Sequence, residues 1–239
     1  MRGQATNRSL VDDAHAIIRN RILDLSLAPA QAINTKDLAR QLRLSRTPVR
    51  EALNRLAAEG LIRIEANHGV FVHPLDVDEI NQLMEANRVA ERLSAFYCDF
   101  ADPGLRADVV AMQAKQRAML RARRFLEASF WNVSFRTRIA RSSRNHHLVD
   151  FHQRVLNHTR RLSYLIYTME ARDAAHYRAQ IAMLARLHRD IDVALRRADR
   201  ERLVAVLGEQ ADILRARVAA VIARSGQPEF PLASRRRAR

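Results

Sequence analysis

Two arginines, Arg46 and Arg50, stand four residues apart in the stretch LSRTPVREALNRLAAEGL, which runs from Leu44 to Leu61. Residues at this spacing lie on the same face of an α-helix, so both guanidinium groups would project from one side. A guanidinium donates two parallel hydrogen bonds to a phosphate or to the N7 and O6 atoms of guanine. The pair therefore predicts a helix face that binds nucleic acid.

The neighbours of the two arginines define the helix that would carry them. Ser45 is a favourable N-cap, and its hydroxyl is expected to accept a hydrogen bond from a backbone N–H of the first turn. Pro48 falls in that turn, where its fixed φ suits a helix and its missing N–H costs nothing. Val49, Leu53 and Leu56 form the apolar stripe, which leaves the two arginines on the opposite side.

Two helices are predicted before this stretch and two short strands after it. The segment VDDAHAIIRNRILDL repeats apolar residues at helical spacing, and TKDLARQL forms a shorter helix with Asn34 as its N-cap. The segment LIRIEANHGVFVHP then follows a strand-like pattern around the turn ANHG. Three helices and a hairpin are the plan of a winged helix-turn-helix, in which the last of the three helices reads DNA.

From Asp76 onward the pattern is helical, and we predict six further helices. The expected fold is mostly α: an N-terminal winged helix-turn-helix with a small β-hairpin, followed by an all-α six-helix bundle. The expected divisions are a DNA-binding domain over residues 1–74, an all-helical domain over 75–224 and a basic tail over 225–239.

The charge balance favours a polyanionic partner. The 239 residues include 41 lysines and arginines and 26 acidic residues, which gives a net charge of +15. Only Lys36 and Lys115 are lysines. An excess of positive charge suits nucleic acid, but a preference for arginine is equally explained by the base composition of a genome. The charge agrees with DNA binding without locating the surface.

The sequence offers no chemistry for catalysis. It contains no phosphate-binding loop, no nucleophile with a matched base and no metal-ligand set, so we expect neither an enzyme nor a cofactor. Cys98 is the single cysteine, which fits a reducing compartment. The stretch MRGQATNRSLVDD lacks the apolar centre of a signal peptide, and no apolar run reaches the length of a membrane span. These features predict a cytoplasmic protein without membrane contact.

The run LARQLRLSRTPVREALNRLAAEGLI, followed by HGVFV, resembles the DNA-binding domain of the GntR transcription regulators. The resemblance covers residues 11–74. It implies that Arg46 and Arg50 contact bases or the DNA backbone, and that His68 and Gly69 form a wing tip near the minor groove. The residues expected to bind DNA are Thr35, Arg43, Ser45, Arg46, Thr47, Arg50, His68 and Gly69.

Two positions in the loop before the second helix depart from that family, which usually has glycine at both. They are Leu25 and Ala30. We expect this difference to change the loop conformation slightly and to leave DNA reading unaffected.

The following helical region resembles the FCD effector domain of the FadR-type subfamily, whose commonest form holds a divalent metal. That form uses an aspartate, a histidine four residues later and two further histidines on the last two helices. The corresponding residues here are Asn132, Arg136, His188 and Gln210. Only His188 matches, and arginine stays protonated in proteins. The resemblance therefore implies no metal in this chain.

These four side chains are instead expected to converge around one cavity as hydrogen-bond donors, with Asn87 and Glu91 as further candidates for its wall. A guanidinium at Arg136 can receive a carboxylate as a bidentate pair, so we hypothesise a pocket for a small organic acid or another anionic effector. The alternative is a filled, vestigial cavity in which Arg136 makes a structural ion pair.

The expected function is that of a transcription regulator, a repressor, that binds an inverted-repeat operator in double-stranded DNA as a homodimer. An anion bound in the helical domain would weaken its grip on DNA. The alternative is an effector-independent dimeric DNA-binding protein. Dimerisation follows from the resemblance and from the need of six amphipathic helices for burial.

Overall fold

Each predicted run of helical periodicity forms a helix in the structure, a computed structural model that describes residues 2–66 and 68–225. The first elements are α1 (Arg2–Leu23), α2 (Thr35–Leu42), α3 (Arg46–Ala58), β1 (Ile62–Glu65) and β2 (Gly69–Val72). They are followed by α4 (Val77–Phe96), α5 (Leu105–Arg121), α6 (Phe125–Ser142), α7 (His146–Glu170), α8 (Ala174–Arg197) and α9 (Arg200–Ser225). This mostly helical architecture with one small hairpin confirms the predicted fold class. The predicted basic tail lies outside the described residues, apart from Ser225.

The chain divides into two compact units between Glu79 and Ile80. We call the part up to Glu79 the N-terminal unit and the part from Ile80 the helical unit. No helix among the described residues is long and apolar enough to cross a membrane.

The N-terminal unit is held together by the apolar stripes of α1 and α3. Ile18 and Ile22 of α1 pack in one buried cluster with Leu53 and Leu56 of α3 and Val72 of β2. Complete burial of a side chain of this size stabilises the fold by about 1.5–3 kcal/mol. The buried stripe of α3 fixes which side of that helix remains exposed.

The hairpin packs on the same core. Strands β1 and β2 are antiparallel, with Ile62 opposite Val72 and Glu65 opposite Gly69. The loop before α2 joins the hairpin, because the N–H of Ile33 donates to the carbonyl oxygen of Val70 at 2.7 Å. The loop, the hairpin and the three helices therefore form one small unit.

The helical unit has an apolar centre and an unusually polar interior beside it. Phe135 and Ile139 of α6 pack with Leu187 and Ile191 of α8 and with Leu207 of α9. Many polar side chains are buried as well, among them Asn87, Glu91, Gln113, Gln116, Asn132, Arg136, His152, His188 and Gln210. Buried polar groups cost free energy unless they are paired, so this interior is a place to look for a binding site.

Candidate nucleic-acid interface and interior cavity

The turn between α2 and α3 sets the direction in which α3 leaves the N-terminal unit. Asn34 caps α2 as predicted: its Oδ1 accepts from the N–H groups of Lys36 and Asp37 at 3.0 and 3.2 Å. The other end of α2 is closed by Arg43, which adopts a left-handed conformation with φ of 56°. Its left-handed backbone ends α2 and lets α3 begin three residues later.

The predicted hydrogen bond from the cap of α3 is wrong. Ser45 does occupy the N-cap with an extended backbone, but its side chain makes no capping hydrogen bond. Pro48, the third residue of α3, has no N–H for the hydroxyl to accept from, and the N–H of Thr47 in the second position is not used either. The exposed hydroxyl of Ser45 is therefore available to a group outside the protein.

One face of α3 carries cations that have no counter-ion among the residues that the structure describes. Arg46 and Arg50 are exposed on this face together with Asn54, opposite the buried Val49 and Leu53. Neither arginine has an ion pair or hydrogen bond from its side chain to the described part of the chain. The exposed Arg43 in the preceding turn is in the same situation.

Several other arginines that the structure describes in the N-terminal unit are paired with carboxylates. Arg19 donates to Glu59 at 3.0 Å and Arg55 to Asp12 at 2.6 Å, which ties α1 to α3. The exposed Arg40 reaches Asp37 at 2.8 Å. The lack of partners is thus concentrated on the predicted reading face of α3, where a polyanion could replace them.

The remaining predicted contacts flank this face. Thr35, half-buried, and Thr47, exposed, lie in the first turns of α2 and α3. Lys36, which is not among the predicted contacts, is exposed beside Thr35, and its side chain makes no hydrogen bond or ion pair with the described chain. Its position in the first turn of a short helix, next to a predicted contact, is the signal that could have found it.

The hairpin presents His68 and Gly69 at its tip. Both are exposed, and the Nδ1 atom of His68 lies 2.9 Å from the carbonyl oxygen of Ala66. Gly69 has φ of 114°, a conformation that side chains rarely adopt. A glycine is therefore required where the second strand of the wing begins.

The loop before α2 contains two non-glycine residues with positive φ. Leu25 and Ala30 have φ of 65° and 59°, the left-handed conformation that glycine adopts freely. This conformation costs roughly 1–2 kcal/mol per non-glycine residue. At Ala30 a contact with the hairpin offsets this cost: its N–H donates to the carbonyl oxygen of Val72 at 3.1 Å and fixes the loop against β2.

The helical unit contains a cavity of about 30 Å³ between α6, α7, α8 and α9. Three of the predicted effector residues line it, namely Asn132, Arg136 and Gln210. A volume of this size holds one or two water molecules. His188 and Asn87, predicted to share the cavity, are both buried but do not line it.

Arg136 is held by side chains of the protein itself. Its Nη1 donates to Oε1 of Glu91 at 2.9 Å, and its Nη2 donates to Oε1 of Gln210 at 3.2 Å. Burial would raise the pKa of Glu91, but Arg136 and the neighbouring His152 together outweigh it, through charge and hydrogen bonding, and lower that pKa overall. Arg136 thus makes a structural ion pair with Glu91, as the alternative of a vestigial cavity requires.

Donors without acceptors remain beside this ion pair. The Nε atom of Arg136 and the Nε2 atom of Gln210 are buried and have no hydrogen-bond partner among the described residues. Unsatisfied buried donors cost about 1–3 kcal/mol each. A group that only accepts hydrogen bonds, such as a carboxylate, would satisfy them.

His188 lies next to the cavity and makes a T-shaped contact with Phe135, at 5.4 Å between ring centroids. Its Nδ1 is 2.6 Å from Nη1 of Arg117. Because a guanidinium only donates, Nδ1 is the acceptor and the proton resides on Nε2. Burial, helped by the charges of Arg117 and Arg136, lowers the pKa of His188 to about 3.

These residues do not fit the metal site of the family. Arg136 places a permanent positive charge at one ligand position, 3.2 Å from Gln210 at another. The Nδ1 atom of His188 is already occupied by a second cation, Arg117. A divalent cation would be repelled by both guanidinium groups.

Sequence reasoning missed a second arginine in the cavity wall. Arg217 lines the cavity and donates to both carboxylate oxygens of Glu170, at 2.9 and 2.5 Å. Tyr167 lines it as well and accepts from Gln116 at 3.1 Å. Arg217 stands seven residues after Gln210, two helical turns further on the same face of α9. That spacing was the signal available in the sequence.

Comparison with known proteins identifies the N-terminal unit. Residues 10–72 match the family described as bacterial regulatory proteins, gntR family. An uncharacterized HTH-type transcriptional regulator in the TAR-I ttuE-ttuC' intergenic region of Agrobacterium vitis is 34% identical over 102 residues, 43% of this chain and 60% of that protein. The Nta operon transcriptional regulator of Aminobacter aminovorans is 44% identical over 64 residues, 27% of this chain and 30% of that protein.

Solved structures extend the likeness of fold to most of the chain. A GntR transcriptional regulator from Rhodococcus sp. RHA1 superposes with a TM-score of 0.69 at 22% identity, over 89% of this chain and 98% of that one. McbR/YncC of E. coli gives a TM-score of 0.68 at 20% identity, over 91% and 99%. The Agrobacterium, Aminobacter and Rhodococcus proteins are described as transcriptional regulators, in agreement with the prediction that the chain is not an enzyme.

Proposed function

We propose that the whole chain is a cytoplasmic transcription regulator of the FadR type, with an FCD effector domain, because residues 10–72 match the gntR family of bacterial regulatory proteins. It binds double-stranded DNA at an inverted-repeat operator as a homodimer and acts as a repressor. The observation that carries this proposal is the exposed face of α3, whose arginines have no counter-ion in the described chain.

The DNA contacts follow from that face. Arg46 and Arg50 enter the major groove and read guanines as bidentate donors. Thr35, Arg43, Ser45 and Thr47 hold phosphates and set the register. The wing, with His68 and Gly69, approaches the minor groove. Two copies related by a two-fold axis place two such faces on DNA, and an inverted repeat has the same symmetry.

The effector proposed for the helical unit is a small organic anion bound in the cavity beside Arg136 and Gln210. The buried donors without acceptors support this choice, since a carboxylate supplies only acceptors. The cavity of about 30 Å³ is too small for an organic acid as it stands. Binding must therefore move the surrounding helices, and such a movement could be coupled to DNA affinity, reciprocally and by the same factor.

A second candidate is an effector-independent DNA-binding protein whose helical unit serves only dimerisation. The ion pair between Arg136 and Glu91 favours this reading, because the guanidinium already has a carboxylate at 2.9 Å. An external anion would have to compete with Glu91 or bind the nitrogen atoms that Glu91 leaves unoccupied.

The two candidates are separated by titrating the purified chain with acetate, succinate, citrate and benzoate. The melting temperature and the fluorescence of Trp131, which adjoins Asn132, report binding. A matched pair of variants locates the site: Gln210→Glu puts a carboxylate in the cavity wall, and Gln82→Glu makes the same change on the exposed face of α4.

The effector proposal expects at least one compound to raise the melting temperature of the wild type and of Gln82→Glu but not of Gln210→Glu. Binding that persists unchanged in Gln210→Glu would move the site elsewhere. If no compound shifts the wild type, the effector-independent candidate takes its place.

A further inference from the structure

A group of three arginines lies on the outside of the helical unit, apart from the cavity. Arg117 and Arg121 are one turn apart on α5, and Arg189 is on α8 directly after His188. The contact of 2.6 Å between Nη1 of Arg117 and Nδ1 of His188 holds the two helices together at this point. We name Arg117, Arg121 and Arg189 the outer arginine cluster.

The outer arginine cluster has no acidic partner within the described residues. None of its three members takes part in an ion pair there. Elsewhere the same two helices do pair their charges: Arg106 of α5 meets Asp192 of α8 at 2.7 Å. A carboxylate between these helices is thus structurally feasible, and the cluster lacks one.

The cluster works against folding as it stands. Like charges one helical turn apart destabilise a helix. Arg117 is half-buried, and burial together with the charges of Arg121 and Arg189 lowers its pKa. Its only hydrogen bond in the described chain is to His188, a neutral acceptor that offsets none of the positive charge. An anion bound from outside would remove this repulsion.

We propose that the outer arginine cluster is a binding site for a phosphate group. Three guanidinium groups offer many donors in planar pairs, which match the several oxygens of a phosphate better than the two of a carboxylate. His188 is 2% exposed and accepts a hydrogen bond from Arg117, so one guanidinium is held in place before the ligand binds. Arg121 and Arg189 are exposed, one on each of the two helices, and both charges act on Arg117.

A phosphate group can come from two sources with this chemistry. One is a free phosphate ester or pyrophosphate, and the other is the backbone of bound DNA. The outer arginine cluster contains none of the residues proposed for the effector cavity. If the cluster binds no phosphate, the proposed function still stands. If the cavity binds no effector, the phosphate site still stands.

The test compares two double variants with equal loss of charge. Arg121→Gln with Arg189→Gln removes two members of the cluster and keeps Arg117 bonded to His188. Arg154→Gln with Arg178→Gln removes two exposed arginines of the same unit that also lack ion pairs in the described chain. Each protein is titrated calorimetrically with pyrophosphate and with succinate at constant ionic strength, and its affinity for a short DNA duplex of mixed sequence is measured against salt.

We expect pyrophosphate to bind the wild type and the control, with an affinity at least about tenfold lower for the cluster variant, and succinate to bind all three weakly. If pyrophosphate does not bind the wild type, a salt slope for DNA that falls by about 1–2 in the cluster variant alone assigns the site to backbone phosphates. If the two double variants behave alike in both arms, the proposal is overturned.

Discussion

Arg50 in the N-terminal unit and Arg136 in the helical unit are the same chemical group in opposite surroundings. Arg50 is exposed and has no counter-ion in the described chain, whereas Arg136 is 5% exposed and is paired with Glu91 at 2.9 Å. An exposed guanidinium is solvated by water, so leaving it without a counter-ion costs no free energy and it remains available to bind DNA. A buried one must be neutralised from within, so any ligand must compete with its partner.

Removing the carboxylate that pairs with Arg136 should have the largest effect on stability. Arg136 would then lack a counter-ion, as Arg50 does, but it is buried and water would not solvate it. Glu91→Ala is expected to lower the free energy of unfolding by about 3–5 kcal/mol. Glu127→Ala is the control, since it breaks the exposed pair with Arg124 and should cost below about 1 kcal/mol. Urea unfolding followed by Trp131 fluorescence measures both, and equal losses would contradict the contrast.

The second prediction concerns His188, which shares the interior with Arg136. Its pKa is about 3 in the folded chain and near 6.5 when unfolded. Between these values the unfolded chain binds the extra proton, so stability is lost as pH falls from about 6.5 toward 3, by up to about 1.4 kcal/mol per pH unit. Urea unfolding at several pH values should show this slope in the wild type and a shallower one in His188→Asn. Identical slopes would mean that His188 is not held neutral.

The third prediction concerns Arg50, the exposed one of the two arginines. Arg50→Ala should weaken binding to DNA selected by the wild type by about 1–3 kcal/mol, because one bidentate contact is lost. Arg55→Ala changes the same helix but removes an arginine already paired with Asp12 at 2.6 Å, and should leave affinity nearly unchanged. Fluorescence anisotropy at fixed salt compares them. A larger loss in Arg55→Ala would place the reading face elsewhere on α3.

The smallest effect is expected in the loop that fixes α2 and the hairpin. Ala30 is exposed and has φ of 59°, so Ala30→Gly should stabilise the N-terminal unit by about 0.5–1 kcal/mol. Ala114→Gly, in the middle of α5, should destabilise the helical unit by a similar amount. Thermal unfolding would give opposite signs for the two changes. Destabilisation by both would show that the left-handed backbone carries no strain.

The contrast between exposed and buried side chains also explains how much of the structure could be predicted from the sequence. Every helix and both strands follow from apolar periodicity and caps, because burial of a stripe is a local property of the chain. The exposed face of α3 follows from the buried one. The positive φ of Leu25 and Ala30 does not follow from the residue types, which prefer negative φ, and at Ala30 it is fixed by a contact with β2.

The interior of the helical unit was less readable for a physical reason. The resemblance located Asn132, Arg136 and Gln210, which do line one cavity. It gave no sign that Arg117 occupies the Nδ1 atom of His188 or that Arg217 pairs with Glu170 of another helix. Such pairings depend on which turns of distant helices face each other, and no spacing within one helix encodes that.

The central claim is that the arginine face of α3 reads DNA sequence, and selection from a random pool of duplexes tests it most directly. The wild type and the double variant Arg46→Ala with Arg50→Ala are carried through the same rounds, and the enriched pools are sequenced. We predict that the wild type enriches an inverted repeat and that the variant enriches none. A wild type that enriches no sequence, or a variant that recovers the same repeat, would contradict it.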